Sequence, residues 1–387
     1  MTSLFTSDRI CIVAAKRTPQ GKFLGALAKL SALQLGAAAA RATFDSVRPE
    51  DIDLTIVGHC LIPDNNIARQ IAREVGVPLS SPAFTVNMAC ASGMKAAMLA
   101  ADAIRLGQAT VVLAGGTESM SNAPHLTDRV RGGIKLGHME VRDMLLEALA
   151  DPQNNESMGA TAERLAEKYE IDRASQDEFA YRSHMKAVAA QDAGVFDSEI
   201  VALSELARDE QPRRDSTFEK LATLKPAFKS AGTVTAGNAS SINDGAAMLI
   251  LCSERTAQQR GWQPLAYLHS TQQIGCDPKV MGIGPVPATE KLCQVNGLTL
   301  NEFDTLEINE AFAAQVLACA KALGVAADDP RFNPHGSGIS LGHPIGATGA
   351  RLLVHLANKI AADRSRLALA TLCVGGGQGV AVAMRQA

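Results

Sequence analysis

Residues 92–119, SGMKAAMLAADAIRLGQATVVLAGGTES, and residues 348–379, TGARLLVHLANKIAADRSRLALATLCVGGGQG, run through the same series. Each opens on a turn of small residues, continues as an apolar helix-forming stretch, breaks at a short polar link, and resumes as an aliphatic run that ends in glycines. One element is therefore used twice. Working outward, PEDIDLTIVGHC (49–60) parallels LNEFDTLEINEA (300–311), and DRICIVAAKRTP (8–19) more loosely parallels QPLAYLHSTQQIG (263–275). The order of elements repeats, and strands this rich in Val, Ile and Leu belong in a buried sheet, so the reading is a duplicated α/β fold. In the second copy the glycines lead straight into a final strand, GVAVAMRQA (379–387). In the first, the matching strand GAAMLILCSE (245–254) arrives only after a long excursion. That excursion exceeds any ordinary loop, and its stretch 160–194 is charged, helix-forming and amphipathic, so a helical insertion is expected. The expected division is 1–120 with 236–262 as the first half, 121–235 as the insertion, and 263–387 as the second half.

Composition narrows the function. The 387 residues are 47% hydrophobic and 20% charged with net charge −3, which is ordinary for a folded, well-packed chain. No long basic run tracks a phosphate backbone, so nucleic acid is not an expected partner. The start, MTSLFTSDRICIVAAKRTP, carries an acidic residue ahead of a short apolar run, and reads as a first strand with no signal peptide or membrane span. A cytoplasmic protein is expected. Eight cysteines (11, 60, 90, 252, 276, 293, 319, 373) stand without C-x-x-C pairs, which argues against disulfides and a zinc site.

Chemistry concentrates where small residues meet helix starts. In TVNMACASGMKAAM (85–98) Cys90 lies just before a helix, where unpaired N–H groups and the helix dipole are expected to lower the thiol's pKa. An inert buried cysteine is the competing reading. Ala91, Ser92 and Gly93 leave room for a substrate, which favours the reactive one. SLGHPIGATGAR (340–351) holds His343 on a rigid Gly-His-Pro turn ahead of a helix expected near Ala347. CVGGGQG (373–379) alone would be compatible with a nucleotide loop, but no G-x-G-x-x-G follows the first strand and no P-loop occurs.

Together these motifs resemble those of the thiolases, coenzyme A-dependent acyltransferases, from VAAKRTPQGKF (13–23) to the last strand. NMACASG resembles the family's nucleophile segment, INEAFAAQ its Asn-Glu-Ala-Phe motif, GHPIGATGAR its histidine motif and CVGGGQG its second-cysteine motif. The resemblance implies two βαβαβαββ halves in a five-layered α-β-α-β-α sandwich with a loop domain inserted in the first. It also implies roles. Cys90 would carry the acyl group, His343 would take its proton, and Cys373 would act as the base at the methyl of the second acyl-CoA. His343 with a water on Asn309 would form one oxyanion hole, and the backbone N–H groups of Cys90 and Gly375 the other. Arg213, Phe228, Ala236 and Ser240 would line the adenine and pantetheine path, with Met158, Met281 and Phe312 at the acyl end. Acetyl-CoA and acyl-CoA would be substrates, no metal or resident cofactor is implied, and a homodimer or homotetramer is.

The residue types suit this chemistry. A cysteine thioester is close in energy to a coenzyme A thioester, so acyl transfer is nearly balanced in both directions. Removing a proton from an acetyl methyl needs a base and an enolate-stabilising site together. Bland alternatives exist for each residue. His343 could hydrogen-bond a loop, Cys373 could simply pack, Arg213 could be a solvated surface arginine, and Asn309 and Glu310 could cap the helix that follows. His335 and His125 are weaker candidates, and NPHGSG (333–338) departs from the family's usual two adjacent glycines. Ser157 replaces the His that acetoacetyl-CoA-forming members often carry before Met-Gly. The expected activity is an acetyl-CoA C-acetyltransferase. A degradative 3-ketoacyl-CoA thiolase of fatty-acid metabolism is the alternative within the class, and a non-catalytic acyl-CoA-binding protein the alternative outside it. The condensing enzymes of fatty-acid synthesis, which pair their cysteine with two histidines, fit less well.

Overall fold

The computed structural model describes residues 8–61, 65–128 and 130–387. The first seven residues, read above as the approach to the first strand, lie outside the described residues. The strands in chain order are β1 (Ile10–Arg17), β2 (Gly21–Lys22), β3 (Leu54–Gly58), β4 (Ala83–Val86), β5 (Val111–Ser119), β6 (His125–Leu126), β7 (Arg142–Asp143), β8 (Asn243–Ser253), β9 (Ala266–Gly275), β10 (Thr305–Ile308), β11 (Leu367–Val374) and β12 (Gln378–Gln386).

The main sheet runs β10-β11-β12-β9-β1-β8-β5-β3-β4, with β2 beside β8. Outward from the β1–β9 seam the order is β1-β8-β5-β3 on one side and β9-β12-β11-β10 on the other, so the duplicated order read in the sequence is built as two equivalent half-sheets. The seam itself pairs only Ile10–Ile12 with Ala266–Leu268. Where β4 lies parallel to β3 in the first half, the second half has a single parallel bridge from Leu306 to Phe332.

Alternation along the strands separates the layers. In β5, Val112 and Ala114 face the middle of the molecule while Val111 and Leu113 face outward; in β8, Leu249 and Leu251 face inward, Met248 and Ile250 outward. The inner residues pack on the helices Ser92–Arg105 and Ile345–Asp363, which lie side by side between the half-sheets and share one core with both. Helices Ala32–Arg41 and Ile67–Glu74 cover the outer face of the first half, and Pro285–Asn296 and Ala313–Leu323 that of the second. The result is the five-layered sandwich expected from the resemblance. Leu352 at its centre is fully buried, and truncating such a leucine to alanine costs about 2–5 kcal/mol.

The two central helices approach at their N-terminal ends through glycines. A Cβ on Gly93 would stand 2.8 Å from the carbonyl oxygen of Gly346, a Cβ on Gly116 would strike that same oxygen, and one on Gly349 would lie 2.6 Å from the backbone nitrogen of Met94. Small residues at both helix starts are what this crossing needs.

Between β5 and β8, which pair antiparallel from Val111–Cys252 to Ser119–Asp244, the chain leaves the sheet. This excursion carries the β6–β7 pair and the helices Met144–Ala148, Met158–Lys168, Arg173–Asp192 and Phe218–Ala222. Met158–Lys168 and Arg173–Asp192 pack on Ala313–Leu323 of the second half. Among the described residues no helix is long and apolar enough to cross a membrane.

Candidate active site

Cys90 sits on a bend four residues past β4 and one residue ahead of Ala91, the N-cap of Ser92–Arg105. The bend passes through Ala89 at φ +44°, a left-handed conformation that a residue with a Cβ adopts only when its surroundings hold it there. Ser92 holds it: its Oγ accepts the N–H of Met88 at 2.8 Å and donates to the carbonyl of Ala89 at 2.7 Å. The thiol of Cys60 also donates to that carbonyl at 3.2 Å.

Cys373, the penultimate residue of β11, is buried beside Cys90, and the glycine turn that follows it brings the backbone N–H of Gly375 to the Cys90 sulfur. The sulfur also receives its own residue's N–H. Here the structure corrects the sequence reading of the thiol. Burial pushes Cys90 up to about 11, and the field of Glu118 adds to it, while the N–H groups of Gly375 and Cys90 pull the other way without prevailing. A helix start lowers a thiol's pKa in the open; half-buried beside apolar groups, the thiolate loses more hydration than two N–H donors return. Burial raises Cys373 as well, and the nearby Cys90 adds to it. Both thiols rest protonated.

His343 is buried at the turn before Ile345–Asp363. Gly342 at φ +100° packs on Asn243, whose Oδ1 accepts the His343 N–H at 3.0 Å. Thr348 Oγ1 donates to the carbonyl of Pro344 at 2.9 Å, one turn earlier, and lies 2.6 Å from His343 Nδ1. With its only proton committed to Pro344, the hydroxyl accepts from Nδ1–H. The tautomer is thereby fixed with the lone pair on Nε2. Burial, helped by the Arg351 guanidinium, lowers His343 to about 3, so the ring is neutral at ordinary pH. Ile345 of this turn shares an apolar cluster with Cys90, which brings the histidine turn and the nucleophile loop together.

Asn309 follows β10. Its N–H bonds the carbonyl of Thr371, two residues before Cys373. Its side chain is fully buried, and neither amide atom has a hydrogen-bond partner among the described residues. It caps no helix: Ala313–Leu323 has Phe312 at its N-cap and no side-chain cap. Glu310 is no cap either. Its carboxylate accepts from Ser183 Oγ at 2.6 Å, Asn333 Nδ2 at 2.9 Å, and the N–H groups of Ser337 and Ile339 at 3.2 Å, bracing the loop that leads to His343.

Met158, Met281, Phe312 and Cys373 fall in one buried apolar cluster, and Gly375 lies where a Cβ would touch Met158 sulfur at 3.4 Å. Phe228, 40% exposed, stands edge-on to Phe312 with centroids 5.9 Å apart and covers Gly159. The Ser240 N–H donates to Ala311 at 2.8 Å. Ala236 is exposed beside Gly237, which lines a small cavity with Arg213, His184, Ser216 and Lys220. Arg213 is itself exposed. Ser157 caps the helix Met158–Lys168 by accepting from the Ala160 N–H at 3.3 Å. The weaker histidines go elsewhere. His125 lies exposed in β6, and His335 bonds His355 at 3.0 Å, which in turn bonds Glu199. Sequence reading assigns no role to Thr348 or Asn243, and it takes Ser92 as space for a substrate where the structure makes it the anchor of the Ala89 bend. Thr348 lies in GHPIGATGAR and Ser92 in NMACASG, but nothing in their spacing tells an anchor from a neighbour.

Comparison with known proteins agrees with this geometry. Residues 10–255 match the thiolase N-terminal domain and 262–386 the thiolase C-terminal domain. An acetyl-CoA acetyltransferase of Escherichia coli is 46% identical over 389 residues, spanning 97% of this chain and 98% of that protein. The crystal structure of the Bacillus anthracis acetyl-CoA acetyltransferase superposes with TM-score 0.95 at 44% identity, covering 98% of this chain and 99% of its own. Human mitochondrial 3-ketoacyl-CoA thiolase in complex with CoA also reaches 0.95, at 39% identity and 98% coverage of each chain. Two protonated cysteines meeting across a duplicated sandwich, a neutral histidine with its free lone pair fixed, and matches along both halves lead to one conclusion: the chain belongs to the thiolase family.

Proposed function

We infer that this protein is an acetyl-CoA C-acetyltransferase, which joins two acetyl-CoA into acetoacetyl-CoA and free coenzyme A, reversibly, through an acetyl group on Cys90. The observation that carries this reading is the meeting of Cys90 with Cys373 under the N–H of Gly375. Because both thiols rest protonated, the order of proton transfers follows. His343 Nε2 takes the Cys90 proton as the sulfur attacks the thioester carbonyl, and the N–H groups of Cys90 and Gly375 receive the oxyanion. As coenzyme A leaves, its sulfur takes the proton of Cys373, which turns Cys373 into a base. Cys373 then removes a methyl proton from the second acetyl-CoA. The enolate oxygen forms at His343 and Asn309. Its carbon attacks the acetyl-Cys90 carbonyl, and the departing Cys90 sulfur recovers the proton from His343. The cycle closes with each group in its starting state.

The insertion, residues 121–235, would hold coenzyme A between the two halves, 1–120 with 236–262 and 263–387. Arg213, Ala236, Phe228 and Ser240 would lie along the carrier, and Met158, Met281 and Phe312 at the acyl end. Close packing of those three about Cys373 supports a short acyl group. No residue here is asked to hold a metal or resident cofactor, and a cytoplasmic homodimer or homotetramer belongs to the same reading. Comparing thiolysis of acetoacetyl-CoA with that of 3-ketohexadecanoyl-CoA tests it. Faster cleavage of the short substrate is expected, and preference for the long one would move the protein to the degradative branch.

A further inference from the structure

Glu118, the penultimate residue of β5, is fully buried, and the proton transfers above do not use it. Its carboxylate joins the two halves at the site. Oε2 accepts the N–H of Gly346, three residues past His343, at 3.0 Å and the N–H of Cys60, also at 3.0 Å. Oε1 accepts the N–H of Leu61 at 3.2 Å and lies 2.8 Å from His59 Nδ1. Cys60 passes the restraint on through its thiol, which reaches both the Ala89 carbonyl and Ser92 Oγ at 3.2 Å, so the chain of contacts ends on the strained bend that presents Cys90. No alternative occupant fits beside Gly346, where a Cβ would stand 2.6 Å from Glu118 Oε2.

We propose that Glu118 is a positioning residue for acyl transfer: it fixes the His343 turn to the Cys90 loop across the two halves. The proposal rests on the assignment of Cys90 and His343 made above. The groups facing Glu118 are the backbone amides of Cys60, Leu61 and Gly346, the thiols of Cys60 and Cys90, and the imidazole of His59. The carboxylate contributes to raising both thiols. It therefore holds the site together and also adds, less than burial does, to the protonation of the Cys90 thiol. These two effects separate in experiment.

Two readouts on the purified full-length enzyme test the proposal: the pH dependence of Cys90 alkylation by iodoacetamide, and single-turnover acyl-enzyme formation from acetyl-CoA. Glu118→Gln keeps the size and removes the charge. The alkylation midpoint should move to lower pH, with labelling at pH 8 several-fold faster, while acylation slows about tenfold or more because the base and nucleophile lose their register. Loosening of the fold would also lower the midpoint, by relieving the burial that raises the thiol, so the contrast with Glu118→Asp decides: a midpoint lowered in both variants reports loosening and overturns the charge effect. Glu118→Asp retains the charge and shortens the reach, so it should keep the wild-type midpoint and still slow acylation. An unmoved or raised midpoint in Glu118→Gln overturns the charge effect, and wild-type acylation in Glu118→Asp overturns the positioning. If Glu118→Gln does not fold, Glu118→Asp alone decides the positioning. Wild-type enzyme that forms no acyl-enzyme would instead refute the assignment of the function, and the alkylation arm would still report on Glu118.

Discussion

The approach to Ser92–Arg105 and the approach to Ile345–Asp363 occupy matching places in the two halves, but they are built for opposite ends. The first bends through Ala89 at φ +44° and leaves its functional side chain partly open at Cys90; the second bends through Gly342 at φ +100° and buries His343. The first is held by a serine and a cysteine of its own half. The second is held from the other half, by Asn243. In the proposed reaction a duplicated element is thus divided into a half-buried thiol that would serve as nucleophile and a buried imidazole that would serve as base. The lesson is that repetition supplied the place, and burial supplied the role.

Removing one side of that comparison altogether has the largest expected effect. Cys90→Ala should abolish transfer of radioactive acetyl from acetyl-CoA to protein and lower turnover by more than about 10⁴-fold. Persistent labelling at another cysteine would overturn the assignment. His343→Ala should depress both half-reactions by about 10²–10⁴, and normal acyl-enzyme formation would confine the histidine to the second step. Cys373→Ala should still accept acetyl, because a coenzyme A thiolate can leave unprotonated, yet condensation should fall by about 10²–10⁴. Labelling lost in this variant and kept in Cys90→Ala would mean that nucleophile and base are reversed. Thr348→Val frees the His343 tautomer without touching substrate, so kcat should drop about tenfold with KM unchanged, and a change in KM alone would remove Thr348 from this role.

The smallest effect concerns stability and falls at opposite ends of the pH scale. His343 is lowered from 6.5 to about 3, so between those values the unfolded chain binds a proton that the folded chain refuses. Stability is lost as pH falls through that window, by at most about 1.4 kcal/mol per unit. Cys90 is raised from 9.0 to about 11, so folding retains a proton that the unfolded chain gives up, and its share of stability is lost as pH rises past 9. Chemical denaturation of His343→Gln should show a flatter acid limb than wild type, and Cys90→Ala a flatter alkaline limb. Identical slopes in either variant would contradict the burial that distinguishes the two sites.

The repeated order of elements was legible because each element carries its own period and punctuation, and it survives as the matched half-sheets about β1 and β9. The residues of the candidate site stood out because unusual local sequence surrounds them: Cys90 among small residues, His343 between Gly and Pro, Cys373 before three glycines. The thiol's protonation did not. A pKa depends on what encloses the sulfur, and Gly375 reaches Cys90 from the far half of the chain. Asn243 and Glu118 escaped for the same reason, since their contacts span 100 and 228 positions and leave no spacing to read. Ser157, noted only as a departure from the family's histidine, proved to be a helix cap.

The glycine crossing between the central helices has a consequence for how freely this sequence can drift. Gly93, Gly116 and Gly346 meet through backbone atoms, so at each of them every other amino acid brings a Cβ into space already filled, whatever its polarity. A saturation library selected only for folding should therefore tolerate many exchanges among the surrounding aliphatic residues and almost none at these three positions. The least replaceable letters of the sequence would then include ones whose part is to let two backbones touch.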